Sequence, residues 1–191
     1  MNGNLAYQQD WREEVIDGKV VAIAPARLNH TRIIRNLTTI FSTYLRNRPC
    51  EFFPDGAGLR LAEDQEEYQP DGMVVCDEEK VKGGTVVTGA PDMVIEVLSP
   101  STAKYDRGHK KDVYERIGVR EYWIVDPAGM SIEQYILEQE KFVLREVYTK
   151  YPLSWLSQMK EDERNAIVTE FQCSLYDDLL IRLDDVFDKV R

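Results

Sequence analysis

Two carboxylates stand where their residue types and neighbours suggest chemistry. Glu96 lies between Ile95 and Val97 in the apolar run DMVIEVL, where an unpaired ion would be costly to bury. Asp71 follows a proline at the start of the run QPDGMVVC. Buried carboxylates are usually paired with a cation or bound to a metal. Three interpretations of Glu96 are therefore open: a metal ligand, a core ion pair, or a solvent-facing residue on an edge strand.

Asp71 is a better partner for Glu96 than Asp92 is. Asp92 and Glu96 share one face of a strand, but at about 3.3 Å per residue their Cα atoms lie about 13 Å apart. Neighbouring strands lie about 4.8 Å apart, so Asp71 on another strand can approach Glu96 closely. Mg²⁺ and Mn²⁺ take oxygen ligands and keep waters that a phosphate can replace. We expect Asp71 and Glu96 to hold one such ion and Asp92 to lie at the entrance of its strand.

A cation for this pair lies on the next predicted helix. Asp106, Lys110 and Tyr114 recur every four residues, so they line one face of that helix. Two carboxylates repel each other, and a lysine between them keeps both ionised. The alternative interpretation is an ordinary surface pair between Asp106 and Lys110.

A strand–helix–strand unit over residues 90–126 must position these groups. Residues 92–98 predict a strand covered on both faces, and residues 121–126 predict the next strand. Residues 103–117 predict the helix between them, with Ser101 or Thr102 as the cap and Gly118 after its end. A unit of this length favours a right-handed crossover and parallel pairing of the two strands.

An earlier helix over residues 28–47 has an apolar stripe at three- and four-residue spacing. Asn29 is a candidate cap, and the alternative is a helix that begins nearer Pro25. His30 projects from the start of the buried face, either as a packed or capping residue or as a supporting site residue. The remaining predicted elements are a hairpin of 14–16 and 19–23 around Asp17-Gly18, strands at 50–53, 58–61 and 69–76, a hairpin of 131–137 and 142–148, a short helix at 155–164, an extended piece at 179–182 and a final helix at 184–190.

The composition indicates how many domains the chain forms and in which environment it folds. A chain of 191 residues with 43% hydrophobic residues predicts one soluble domain over 1–191, with a core at about 13–148 and a C-terminal extension at 149–191. No long apolar run predicts a membrane span, and the N-terminus does not resemble a signal peptide. The three cysteines form neither a zinc pattern nor a disulfide framework. We therefore expect a reducing, cytoplasmic location.

The charge pattern bears on partners. A net charge of −10 argues against a non-specific nucleic-acid binder. Residues 18–50, however, contain no acidic residue and six basic ones. This stretch is either a basic face for nucleic acid or a set of solubilising charges, and both interpretations stay open.

The chain resembles the family called "putative restriction endonuclease", which is placed in the PD-(D/E)XK phosphodiesterase superfamily. The resemblance rests on QPD at 69–71, GAPDMVIEVLSPST at 89–102, the D…K…Y helix and GVREYWIVDP at 118–127. The Asp17-Gly18-Lys19 turn and Asn29-His30 also match. The resemblance implies an α/β fold with a mixed sheet (α+β), a restriction-endonuclease-like core and added N-terminal and C-terminal β-hairpins.

The same resemblance implies roles for the site residues. Asp71 and Glu96 would bind the metal, and a lysine would position or activate the attacking water. The usual lysine lies two residues after the acid, where this chain has Leu98. The resemblance therefore requires a lysine on the helix: Lys110, with Lys111 as the less favoured choice.

The leading hypothesis is a Mg²⁺- or Mn²⁺-dependent phosphodiesterase, a DNA endonuclease with Asp71, Glu96 and Lys110 as its catalytic residues. The possible supporting residues are His30, Asp92, Lys111 and Tyr114. The alternative is a catalytically inactive nuclease-like module that acts as a dimeric DNA-binding or interaction protein. A homodimer is expected in either case, and DNA is favoured over RNA as the partner. The target site and the biological pathway are not encoded in any motif.

Overall fold

The computed structural model describes residues 12–16, 19–23, 27–61 and 66–191. The strands, in chain order, are β1 (Arg12–Ile16), β2 (Lys19–Ile23), β3 (Glu51–Pro54), β4 (Gly58–Arg60), β5 (Glu67–Tyr68), β6 (Gly72–Val75), β7 (Val86–Thr88), β8 (Met93–Val97), β9 (Glu121–Asp126), β10 (Ser131–Glu138), β11 (Lys141–Thr149), β12 (Glu170–Gln172) and β13 (Leu180–Arg182). The α-helices are α1 (Leu28–Tyr44), α2 (Ala103–Tyr105), α3 (Lys111–Arg116), α4 (Leu153–Leu156), α5 (Glu161–Asn165) and α6 (Leu183–Val186). A 3₁₀ turn spans Glu78–Lys80.

A six-stranded mixed sheet forms the centre, in the order β11-β10-β9-β8-β6-β3. Strands β8 and β9 pair in parallel, as the crossover prediction required, and their neighbours pair antiparallel. A five-stranded sheet has the order β2-β1-β5-β4-β7, and β12 pairs with β13. The N-terminal hairpin of β1 and β2 is confirmed, whereas its Asp17-Gly18 turn lies outside the described residues.

The apolar residues of β8 face alternate sides of the central sheet, as the period of two in a strand requires. Met93, Ile95 and Val97 lie in the core on the α1 side, while Val94 and Leu98 lie in the core on the opposite side. Every residue of β8 is buried, so the prediction of a strand covered on both faces is confirmed. Glu96 lies two residues from both Val94 and Leu98, so its side chain faces the same side of the sheet as theirs, opposite α1.

Helix α1 packs through its apolar stripe. Ile33, Leu37 and Phe41, spaced four residues apart, are at most 2% exposed. The Phe41 ring stacks on Phe52 of β3 with centroids 5.0 Å apart and lies 5.8 Å from Trp123 of β9. These contacts fix the helix on the sheet face opposite Glu96.

The capping prediction for Asn29 is wrong. The residue before the helix is Arg27, and Asn29 lies inside the first turn. The side-chain oxygen of Asn29 accepts a hydrogen bond from Arg32 Nη1 at 2.9 Å, and its amide nitrogen donates to the backbone carbonyl of Arg191. Because these contacts occupy the amide, Asn29 links α1 to the end of the chain instead of capping the helix.

The helix predicted over 103–117 is three consecutive segments. A π-helical segment, Asp106–Lys110, joins α2 to α3, and we call the whole of 103–116 the crossover helix. Thr102 precedes it, but no side-chain hydrogen bond caps the helix; the Thr102 hydroxyl instead pairs with Ser99 Oγ at 3.0 Å. Gly118 follows the helix with φ +87°, the left-handed conformation expected of a residue after a helix end.

The C-terminal region departs from the sequence-based expectation. The helix predicted at 155–164 is two short helices, α4 and α5, and the final helix α6 spans only four residues. Strand β12 was not predicted, because its three residues show no alternation long enough to detect. Among the described residues, no helix is both long and apolar enough to cross a membrane.

The expectation of unpaired cysteines is wrong for two of the three. Cys50 and Cys76 form a disulfide, and Cys173 is a buried free thiol. The register of β3 and β6 pairs Glu51 with Val75, so the residues that flank this pair are brought side by side. The sequence separation of 26 residues hid this proximity.

Candidate active site

The central sheet pairs the strand that follows Asp71 with the strand that contains Glu96. Strands β6 and β8 pair antiparallel, with Gly72 opposite Ile95 and Met73 opposite Val94. Asp71 directly precedes β6, and its carboxylate contacts the backbone of Val97, the residue after Glu96. The expected adjacency of the two strands is thus confirmed.

Asp71 is held by backbone and by α1. Its Oδ2 atom accepts a hydrogen bond from the backbone N–H of Val97 at 2.7 Å. The same oxygen lies 3.2 Å from Nε2 of His30, and the two side chains are 13% and 12% exposed. Helix α1 therefore contacts Asp71 through His30.

Glu96 meets the crossover helix. Its Oε1 atom lies 3.1 Å from Nζ of Lys110 and accepts a hydrogen bond from the Tyr114 hydroxyl at 2.8 Å. Glu96 is 3% exposed and Lys110 is 4% exposed. The interpretations of Glu96 as a solvent-facing edge residue and of Lys110 as a surface lysine are both wrong, because the pair is buried.

The crossover helix contributes three buried polar side chains and contains a π-helical turn. Asp106 and Lys110 begin and end the segment, and Tyr114 lies one α-helical turn beyond it. Lys110 Nζ lies 3.7 Å from Asp106 Oδ1, and Asp106 is 1% exposed. The Tyr122 hydroxyl donates to the backbone carbonyl of Asp106 at 2.9 Å and so ties the segment to β9. Single wide turns of this kind often occur at functional sites.

The site concentrates negative charge. The pKa of the Tyr122 phenol is raised well above its usual value, first by complete burial and then by three nearby carboxylates. These carboxylates belong to Glu96, Asp106 and Asp71. The ammonium group of Lys110 contacts two of them, so the arrangement favours a further positive charge.

Two residues named from the sequence lie elsewhere. Asp92 Oδ2 accepts a hydrogen bond from the backbone N–H of Cys76 at 2.8 Å, and its other oxygen lies 3.3 Å from Arg120. Lys111 Nζ lies over the Tyr135 ring, 4.5 Å from its centroid. Asp92 thus fixes the start of β8, as expected, and Lys111 points to the β10 side of the crossover helix.

The carboxylates near the crossover helix are the candidate ligands for the Mg²⁺ or Mn²⁺ ion that the sequence predicts. Among the described residues, no group of three or more histidine, cysteine, aspartate or glutamate side chains is arranged to hold a metal. Mg²⁺ often takes one or two carboxylates and keeps several waters. The carboxylates of Asp71 and Glu96 both lie near Tyr122, and oxygen ligands of this type fit an ion held in that way.

A second buried polar cluster escaped the sequence analysis. Glu121, fully buried at the start of β9, accepts hydrogen bonds from Trp123 Nε1 at 2.6 Å and Gln134 Nε2 at 2.7 Å. Its other oxygen accepts from the backbone N–H of Ser174 at 2.9 Å and from the Ser174 hydroxyl at 2.5 Å. The sequence analysis predicted only a strand from Glu121 onward, because the partners of this glutamate are distant in sequence. These contacts give Glu121 a structural role.

Comparison with known proteins gives the class and then the family. A crystal structure described as a "putative nuclease belonging to DUF820" from Anabaena variabilis ATCC 29413 superposes with a TM-score of 0.68 at 18% identity, over 94% of this chain and 91% of that one. The chain has this restriction-endonuclease-like fold. It belongs to the Uma2 family, described as "Putative restriction endonuclease", whose model matches residues 4–161. The resemblance noted in the sequence is therefore confirmed.

Two relatives come from Synechocystis sp. (strain ATCC 27184 / PCC 6803 / Kazusa), and both are described as uncharacterized proteins. One is 31% identical over 126 residues, which is 65% of this chain and 71% of the relative. The other is 32% identical over 134 residues, which is 69% of this chain and 70% of the relative. The family and the fold support a nuclease-like function.

Proposed function

We propose that this protein is a Mg²⁺-dependent phosphodiesterase that cleaves DNA as an endonuclease. The observation that carries the proposal is the buried contact between Glu96 and Lys110, 3.1 Å long, on a strand that pairs with the strand directly after Asp71. A carboxylate pair with a lysine beside it combines a cation site with a positive charge for a phosphate. Membership of the family described as "Putative restriction endonuclease" supports a nuclease-like function.

Asp71 and Glu96 are the residues that would hold the metal ion. When bound, the ion would polarise a phosphate oxygen and lower the pKa of water at the site. The backbone N–H of Val97 and the imidazole of His30 hold Asp71, while Tyr114 holds Glu96. These contacts fix both carboxylates before an ion arrives, which lowers the cost of ordering them.

Lys110 has two tasks in this proposal. Its ammonium group lies 3.1 Å from Glu96 and 3.7 Å from Asp106, so it offsets negative charge of both carboxylates. It also adds positive charge close to where the phosphorane-like transition state gains negative charge. The helix thereby supplies the charge that the strand lacks at Leu98, which packs in the core at 7% exposure.

Helix α1, which contacts Asp71, also carries basic side chains. Arg27 and Arg35 are exposed on this helix and its entrance, and Arg32 is half-buried. His30 contacts Asp71 from the same helix. Arginine side chains contact phosphates in duplex DNA, so we place the nucleic-acid backbone along α1.

A cleavage assay on a panel of single- and double-stranded DNA and RNA, with Mg²⁺ or Mn²⁺, tests the proposal. We expect metal-dependent cleavage by the wild type and a loss of at least about 100-fold in Asp71→Asn, since loss of a ligand should exceed the loss of an outer contact. Asp126→Asn is the matched control, because Asp126 lies on β9 and accepts a hydrogen bond from Ala128. Equal cleavage by wild type and Asp71→Asn would refute the assignment, and no cleavage of any substrate would favour the inactive module.

A further inference from the structure

We propose that strand β11 is a homodimer interface, along which a second copy of this chain adds its own β11 in antiparallel pairing. Strand β11 is the outermost strand of the central sheet, and within the described residues no strand pairs with its outer side. At nine residues it is also the longest strand described. A long open edge presents backbone N–H and C=O groups that can pair with another chain.

The exposed side chains of β11 are unusually apolar. Val143, Leu144 and Val147 are 44%, 46% and 43% exposed. Five consecutive residues, 143–147, are exposed although they alternate between the two faces of the strand. The middle of β11 is thus uncovered on both faces, as expected of a strand that lacks a neighbour.

The sequence of β11 is complementary to itself. We place a two-fold axis between Arg145 and Glu146, so that two antiparallel copies set each Arg145 opposite the partner copy's Glu146. The same register sets Leu144 opposite Val147 and Val143 opposite Tyr148. Opposite charges and apolar pairs directly across from each other stabilise antiparallel strands. The sequence KFVLREVYT therefore favours a second copy of the same strand as the pairing partner of β11.

A charged edge with a bulge can also serve to keep strands apart. The register of β10 and β11 shifts between Gln134 and Tyr135, which leaves Arg145 as the extra residue of a bulge. Charges that block pairing work by repulsion between like signs. Here the two central charges are neighbours of opposite sign, and the two-fold axis converts them into two attractive pairs. Because the axis passes beside the bulge, both copies bend at the same place.

The surface beside β11 extends the interface. A cleft between β11 and α5 is lined by Val147, Tyr151, Met159 and Val168 among others. Trp155 of α4 is 59% exposed, and its ring lies 6.3 Å from that of Tyr151. Edge pairing alone buries little surface, whereas stable interfaces bury about 800 Å² on each partner. The apolar residues around the cleft supply area that the strand lacks.

Sedimentation equilibrium of the full chain tests the interface without any measurement of nuclease activity. We expect a dimer for the wild type. Arg145→Glu and Glu146→Arg should each raise the dissociation constant about tenfold or more, because each sets like charges opposite each other twice. The double variant Arg145→Glu/Glu146→Arg restores opposite signs and should dimerise within about threefold of the wild type, a small free-energy difference.

Circular dichroism of all four proteins controls for folding, and changes at these exposed charges should leave the spectra unchanged. A monomeric wild type would overturn the proposal. So would a dimer that is insensitive to the single reversals, or single reversals that the double variant does not rescue. Since no substrate or metal is present, failure here leaves the proposed nuclease activity untouched.

Discussion

The position of one lysine decides how the candidate site is built. Lys110 reaches Glu96 from the crossover helix, while Leu98, two residues after Glu96, is packed among apolar side chains. The four-residue spacing predicted that Asp106, Lys110 and Tyr114 share one helix face, and the family resemblance selected Lys110 as the lysine that faces the carboxylate. It was not enough to predict that all three lie at most 4% exposed, because burial depends on the sheet that the helix covers.

Replacement of Lys110 by methionine should destabilise the fold by about 3–5 kcal/mol, because Glu96 and Asp106 would remain buried without their cation. Urea denaturation measures the loss. Mg²⁺ should recover part of it if the ion binds these carboxylates, since a ligand of the native state raises stability. Lys111→Met is the matched control and should cost about 1 kcal/mol or less, as expected for a cation–π contact. Similar losses in both variants would contradict the role of Lys110.

At the scale of elements, the strand–helix–strand unit was the most predictable part of the chain. The continuous apolar run of β8 and the length of the connection determined parallel pairing with β9, and both are observed. The π-helical segment could not be predicted, because its hydrogen bonds shift by one residue without any change in residue pattern. Asp71 could be paired with Glu96 only through strand spacing, which excluded Asp92.

Contacts between elements that are distant in the chain could not be predicted from the sequence. Glu121 joins β9 to β10 through Gln134 and to the C-terminal segment through Ser174, 53 residues away. The charge of Glu121 and burial raise the pKa of the neighbouring Cys173 thiol, with burial as the larger cause. A carboxylate surrounded by donors from three parts of the chain stabilises their mutual placement.

Glu121→Gln tests this junction. In the wild type, Trp123 Nε1 donates to one carboxylate oxygen of Glu121 and the Ser174 N–H donates to the other. The amide of the Glu121→Gln variant cannot accept both bonds, because only one of its two polar atoms is an acceptor. We expect a loss of about 3 kcal/mol in unfolding free energy, the cost of leaving buried donors unpaired. Thermal or urea unfolding measures it, and Glu138→Gln, at the exposed end of β10, is the control. A variant as stable as the control would show that the cluster contributes little.

At the scale of the whole molecule, the central sheet separates two apolar layers. Helix α1 and the C-terminal strands cover one face, and the crossover helix with the smaller sheet covers the other. The fold class was predictable, because the motifs resemble a family with this sheet. The Cys50–Cys76 disulfide was not, because sequence spacing does not show which strand ends become neighbours.

Thiol titration checks this pairing. Native protein should react slowly, since Cys173 is buried and burial raises its thiol pKa. Urea without a reductant should expose one thiol, and urea with subsequent reduction should expose all three cysteines of the chain. Three reactive thiols in urea without any reductant would contradict the disulfide.

The central claim is that Asp71 and Glu96 hold a divalent ion, and calorimetric titration with Mn²⁺ tests it most directly. The wild type should bind Mn²⁺ at one saturable site. The titration requires no knowledge of the substrate. Asp71→Asn should weaken that binding by at least about tenfold, as loss of a ligand demands, while Asp126→Asn should bind like the wild type. Identical isotherms for wild type and Asp71→Asn, or no binding by the wild type, would contradict the account.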